Sequence, residues 1–191
     1  MAILNKTLVV ASLLLFSATA DARSFYVGAS IGQAIVDDSP PQVIGELDTD
    51  ESWRIHAGWQ FHENWAVEGV YHGFGDASGQ FRPCPEACTP DIPVSREYST
   101  DAWSLRAAWR LGKQRWQPFA AAGWTWSNSD GRVSGLGSGT RVGFSADDNG
   151  FSAELGMRVL LGDAFALRAG YEWFDLDAAD GAFNIGGEFT F

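Results

Sequence analysis

The sequence predicts an all-β fold, an eight-stranded antiparallel up-and-down transmembrane β-barrel, and three observations lead there. Eight segments alternate apolar and polar residues with period 2, while long stretches with the helical period of 3.6 are missing. The connections between the segments follow a long–short rhythm. Within the segments, charged side chains keep to one face and tryptophans to the other.

The first strand runs from Phe25 to about Ala34, with Phe25, Val27, Ala29 and Ile31 on one face. The second, Trp53 to Phe61, sets Trp53, Ile55, Ala57, Trp59 and Phe61 against Arg54, His56, Gly58 and Gln60. The turn His62-Glu63-Asn64 leads into the third, Trp65 to about Phe74. The fourth, Tyr98 to Leu111, opposes Trp103, Leu105, Ala107 and Trp109 to Ser104, Arg106, Ala108 and Arg110. Gly112 to Arg115 turns the chain into the fifth, Trp116 to about Ser127. The sixth, Gly150 to Leu161, opposes Phe151, Leu155, Met157 and Val159 to Ser152, Glu154, Gly156 and Arg158. Gly162-Asp163-Ala164 joins it to the seventh, Phe165 to about Phe174, and the eighth is Phe183 to Phe191.

Connections one, three, five and seven read as long and rich in Gly, Asp and Ser, whereas two, four and six are short. Strands of about 9–11 residues with short turns at one end and long loops at the other are the layout of a barrel crossing a bilayer. An even strand count with both chain ends on the short-turn side predicts periplasmic termini.

The faces carry the strongest argument. When each strand's outward parity is set by its aliphatic residues, Arg54, Glu68, Arg106, Arg110, Glu154, Arg158, Arg168, Glu172 and Glu188 all fall inward, with His56 and His72. An Arg or Lys facing lipid at the midplane costs about 2–4 kcal/mol, so a bilayer enforces this sorting. Asp101 is the exception, near the loop end of its strand. The tryptophans go outward in two girdles: Trp59, Trp65, Trp109 and Trp116 near the short turns, and Trp53, Trp103, Trp124, Trp126 and Trp173 near the long loops. Indole rings settle at both membrane interfaces, whereas a soluble core has no reason to sort them into bands.

Both chain ends agree. Residues 1–22 read as a signal peptide: Lys6, an apolar run from Leu8 to Phe16, then the A-x-A sites Ala18-Thr19-Ala20 and Ala20-Asp21-Ala22, with cleavage after Ala20 or Ala22. The run is shorter than the roughly 20 residues a helical span needs. Residues 23–191 are expected to form the barrel domain, localised to the outer membrane. The ending Phe189-Thr190-Phe191 resembles the signal by which such barrels are handed to their assembly machinery.

Phe25-Tyr26-Val27-Gly28-Ala29 resembles the first strand of OmpA-type eight-stranded outer-membrane barrels. Ala66 to Tyr71, Pro118 to Gly123 and Leu167 to Glu172 resemble other strands of that family. The resemblance covers the mature chain and implies the barrel domain only. The chain has no room for the periplasmic peptidoglycan-binding domain of full OmpA, so that role is not implied.

With 24 Asp+Glu against 13 Lys+Arg and a net charge of -11, nucleic acid is excluded as a partner. The expected partners are outer-membrane lipid, lipopolysaccharide and the assembly machinery, with the chain a monomer. The expected function is structural or surface-interacting and non-enzymatic, with no catalytic, cofactor or metal residues. His56 and His72 are expected to join an interior polar network rather than a catalytic group, since no His lies on the lipid face beside a Ser. The acids Asp37, Asp38, Glu46, Asp48, Asp50 and Glu51 lack the spacing and Gly of a calcium loop. Two other readings stand beside this one: a small solute channel, and a lipid A-modifying enzyme. Inside the barrel, five arginines and four glutamates are expected to form a closing ionic plug. Arg158 is expected across from Arg168 and Glu154 across from Glu172. Glu188 is expected to reach Arg168, and Glu154 and Glu172 to look across the lumen to Arg54 or Arg106.

The two cysteines, Cys84 and Cys88, form a C-x-x-x-C pair in the second long loop. That spacing is not the redox motif's and no His is nearby, so an even count in an exported chain predicts a disulfide. Its short loop places its stabilisation at the low end of about 2–4 kcal/mol. Thiol labelling of the native, unreduced protein is expected to find neither cysteine free. Labelling of both refutes the bridge.

Overall fold

A computed structural model of the chain describes residues 25–35, 51–81, 94–112, 114–135, 141–176 and 179–191. Eight strands account for nearly all of them: β1 (Phe25–Ile35), β2 (Glu51–His62), β3 (Trp65–Phe81), β4 (Val94–Arg110), β5 (Trp116–Gly135), β6 (Arg141–Leu160), β7 (Phe165–Leu176) and β8 (Ala179–Thr190). Each strand pairs antiparallel with the next, and β1 pairs with β8, so the sheet closes on itself. Closure leaves no unpaired edge where the barrel meets hydrocarbon, which has no water to satisfy one. The last residue completes the seam: Phe191 N–H donates to the Phe25 carbonyl at 2.9 Å.

All eight expected strands are present, but four run further than the apolar pattern reaches. β3 and β4 have 17 residues each, and β5 and β6 have 20 each. Above the bilayer both faces of a sheet meet water, so the ladder continues without the alternation that marks a half-buried strand. Rungs such as Asn128↔Asp147 and Arg132↔Gly143 carry polar residues where a membrane strand would carry apolar ones.

The seventh connection is a correction. It is not a long loop: β7 runs to Leu176, β8 begins at Ala179, and these two residues pair. Acidic residues about Asp175 and Asp180 resemble loop composition, yet Leu176, Ala179 and Ala182 turn inward and bury against Phe74 and Phe174. The signal peptide, Cys84, Cys88 and the acidic run from Asp37 to Asp50 lie outside the described residues.

Alternate residues face lipid and lumen throughout. Trp53, Trp59, Trp65, Trp103, Trp116, Trp124, Trp126 and Trp173 are exposed on the outer face, with Trp109 half-buried there. The rings pack on each other within the two bands. Phe25 stacks on Trp59 at 6.3 Å and Trp65 meets Trp109 at 6.4 Å near the short turns. At the other end Trp53, Tyr71 and Trp103 form a row with centroids 5.4 and 4.6 Å apart.

Gly75 and Gly58 are two of the glycines that geometry requires. At Gly75 the β3–β4 register shifts between Gly73 and Asp76, and φ of 77° makes this a bulge that a side chain would strain. Gly58 pairs with Tyr26 across β1–β2, and a Cβ there would fall inside the Tyr26 ring. Gly58→Leu is therefore expected to displace Tyr26 and cost about 1–3 kcal/mol, the range for overpacking. Gly69→Ala, at a β3 site with nothing within 4 Å of an added Cβ, is expected to be near neutral. Urea unfolding in detergent micelles, followed by heat-modifiable gel migration, checks both.

Candidate functional site

The inward parity of β2, β3, β4, β6, β7 and β8 gathers charge in the middle of the barrel. Arg54, His56, Glu68, His72, Arg106, Arg110, Glu154, Arg158, Arg168, Glu172 and Glu188 are all buried, the most exposed being Arg158 at 7%. Register alone would make this arrangement unfavourable, because Glu154 pairs with Glu172 and Arg158 with Arg168. The opposite wall resolves it. Arg54 reaches across the lumen and donates to Glu172 Oε2 at 2.9 Å and Glu154 Oε1 at 2.8 Å. Arg106 donates to Glu172 Oε1 at 2.8 Å, and its Nη2 lies 2.7 Å from Glu154 Oε2 as an ion pair outside hydrogen-bond geometry. Each guanidinium fork thus straddles both like-charged carboxylates.

Glu68 is the second hub. It accepts from Arg106 Nε at 2.9 Å, from Arg168 Nη1 at 2.8 Å and from the Tyr26 hydroxyl at 2.7 Å. Arg168 also donates to Glu154 at 2.9 Å and lies 4.1 Å over the Phe119 ring. Such charge-assisted bonds are about twice as strong as neutral ones, and here they offset the cost of burying ions.

The third hub lies toward the short turns. Arg158 Nε donates to Glu188 Oε1 at 2.7 Å, while its Nη1 donates to Gln117 and its Nη2 to Thr190. Glu188 was expected to reach Arg168, but that contact is 3.8 Å and Arg158 is the nearer partner. Arg168 is instead committed to Glu68 and Glu154, which leaves Glu188 to Arg158. Arg110 lies 4.1 Å over the Tyr26 ring and 3.6 Å from Glu188.

Toward the long loops the interior changes character. Ser104, Thr125 and Ser152 form a buried hydroxyl chain with links of 2.7 and 2.9 Å. Beyond it, Phe74 and Phe174 meet edge to face at 5.3 Å, and the His72 ring stacks on Phe74. These two phenylalanines, with Ala34, Ala102, Leu176, Ala179 and Ala182, form an apolar layer across the lumen.

Ser104, His72 and Glu172 invite a catalytic reading, but the geometry refuses it. Ser104 Oγ is 3.2 Å from His72 Nε2, and Glu172 is 3.7 Å from the same nitrogen. A relay needs the acid on one ring nitrogen and the nucleophile on the other. His56 lies 3.6 Å from Glu188 and edge-on to Tyr26, and His62 is the exposed last residue of β2. Among the described residues no group of three or more potential metal ligands occurs.

The sequence reading did not single out Tyr26, Gln117, Thr190, the hydroxyl chain or the Phe74–Phe174 layer. Strand parity could have found each of them, since all but Thr190 are buried on the charged face.

A family model described as an outer membrane protein beta-barrel domain matches residues 8–191. Among solved structures, OprG from Pseudomonas aeruginosa is similar at 16% identity and TM-score 0.65, covering 89% of this chain and 96% of that one. Ail of Yersinia pestis, in complex with the heparin analogue sucrose octasulfate, is similar at 14% identity and TM-score 0.58, covering 90% and 100%. The N-terminal β-barrel domain of Pseudomonas aeruginosa OprF follows at 11% identity and TM-score 0.57, covering 90% and 100%. At such identities the likeness is one of fold. Among curated proteins, sequence comparison finds no relative.

Glu188→Ala leaves Arg158 buried without its carboxylate and is expected to cost about 3–5 kcal/mol. Asp147→Ala, an exposed change, is expected to stay within about 0.5 kcal/mol. Unfolding titrations of the barrel in lipid vesicles read the difference, and equal stability of the two variants contradicts a structural ion network.

Proposed function

The chain belongs to the outer-membrane protein β-barrel family, and from that premise we propose a non-enzymatic outer-membrane protein with a structural or surface-interaction role and a lumen closed to ions. One observation carries the closed lumen: the Glu68, Glu154 and Glu172 carboxylates are spanned by guanidinium groups from the facing wall, beneath the Phe74–Phe174 layer. Eight strands leave an interior just wide enough for side chains to fill, and here large ones fill it. Opening a water path would require parting several buried ion pairs at once.

Catalysis has no supporting group. The one described Ser–His–acid set is internal and joined through a single nitrogen, and the exposed His62 lies at the short-turn end of β2, where its Nδ1 accepts from the Asn64 N–H. Ail is described with a sulfated sugar analogue; this chain's net charge of -11 points to a different partner chemistry, cationic or bridged by divalent ions. The remaining parts of the reading are a signal peptide over residues 1–22, periplasmic termini, contact with outer-membrane lipid and lipopolysaccharide, a monomer in its own membrane, and Phe189 and Phe191 as the signal to the barrel-assembly machinery.

Planar-bilayer recording of the refolded protein tests the closed lumen. No steady conductance is expected, and Phe74→Ala with Phe174→Ala is expected to remain silent while the ion network below is intact. Stable single-channel openings of the unmutated protein establish the solute-channel reading instead.

A further inference from the structure

Among the described residues the four long strands leave two open edges, one on β3 above Gly73 and one on β6. The topmost rung between β6 and β7 is Ser152↔Phe174, so above it β6 has β5 on one side and, among the described residues, no strand on the other. Hydrogen bonds show which residues point at that open side. Leu160 N–H donates to the Arg115 carbonyl on the β5 side, and Leu161 N–H donates to the Phe165 carbonyl on the β7 side. The β5–β6 register runs without a shift from Trp116↔Val159 to Ser134↔Arg141, so the alternation carries upward. Even-numbered residues address β5, and odd-numbered ones address the open edge. The bond from Ser127 Oγ to the Asp148 carbonyl agrees.

The edge therefore presents the main-chain groups of Arg141, Gly143, Ser145 and Asp147, and all four residues are exposed. Asn149 N–H closes its lower end, donating to Asp148 Oδ1 at 2.7 Å. A long open edge is a template for strand pairing. A docking strand cannot continue toward the membrane, because the Asp175 carbonyl lies against Gly150 with no room for a Cβ.

We propose that this edge pairs antiparallel with the same edge of a second copy of the chain, head to head, as between apposed membranes. The segment is self-complementary in one register. With the two-fold axis through Phe144, Arg141 stands opposite Asp147 at both ends, Gly143 opposite Ser145, and Val142 opposite Ala146. All hydrogen-bonding residues then meet hydrogen-bonding residues. Moving the axis to Ser145 sets Val142 against Asp148, and moving it to Gly143 leaves Asp147 without Arg141. Asp147 Oδ1 accepts from Asn128 at 2.6 Å, which holds the carboxylate on the outer face where the partner's Arg141 would lie. The two-fold reverses strand direction while keeping the sheet's faces, so the two barrels point in opposite directions. A contact this small falls below the roughly 1,200 Å² of stable complexes, so it acts through many copies on facing surfaces. The inference gives the surface-interaction reading its partner and rests on it, but not on the closed lumen, which bilayer recording judges separately.

Single-cysteine variants test it, made in the full chain with Cys84→Ser and Cys88→Ser. Two proteoliposome populations carry Gly143→Cys and Ser145→Cys respectively; an added Cβ at Gly143 meets only the Gly131 carbonyl at 3.9 Å. Under mild oxidation, dimer is expected on mixing the populations and far less within either alone, because only 143 and 145 face each other. Asp147→Arg in both populations is expected to lower the yield by roughly fivefold, the scale of losing two exposed ion pairs. Adding Arg141→Asp to it is expected to restore the yield. Equal cross-linking in mixed and single populations, no dimer at all, or indifference to Asp147→Arg overturns the proposal.

Discussion

The structure depends on one constraint: the outer face of every membrane strand must be apolar at bilayer depth, so the charges there, Asp101 near the loop end of β4 apart, are forced into the lumen and neutralised. With period 2 and eight strands, the inward positions converge on a space about one side chain deep from each wall. The acids and bases that fill it have no water to fall back on. Their positions are therefore coupled across strands far apart in sequence, as between Arg54 and Glu172 or between Arg168 and Glu68.

That coupling explains why neighbours on adjacent strands can be alike. Glu154 beside Glu172 is unfavourable as a hairpin pair and becomes favourable once Arg54 and Arg106 arrive from the facing wall. The aromatic layer of Phe74 and Phe174 has a related logic. It ends the ionic zone with a surface that needs no partners, beneath the point where the long strands leave the bilayer.

Much of this was legible in residues. Alternation located all eight strands, and the inward side of Arg106 or Glu172 followed from the outward side of Trp103 or Trp173. What stayed hidden has physical causes. The upper halves of β5 and β6 have water on both faces, so their ladder leaves no apolar alternation. The β7–β8 hairpin was masked by Asp175 and Asp180, while the small apolar residues that bury it look unremarkable in a chain so rich in alanine. Pairing inside the lumen resisted reading because it depends on barrel diameter and on how the side chains cross it, which bring Arg158 to 2.7 Å from Glu188 and leave Arg168 at 3.8 Å.

The distribution of the network over the strands bears on how the chain reaches this state. Glu68 on β3 is held by Tyr26 from β1, by Arg106 from β4 and by Arg168 from β7. No single hairpin holds all the partners of its own charges, since Arg54 on β2 pairs with Glu154 on β6 and Glu172 on β7, so a half-built sheet carries unpaired ions on the face it would have to seal. Entry into lipid before the seam between Phe25 and Phe191 closes would leave those ions without their partners, at a cost of about several kcal/mol per ion. The lumen thus serves as a checksum on the completeness of the polypeptide.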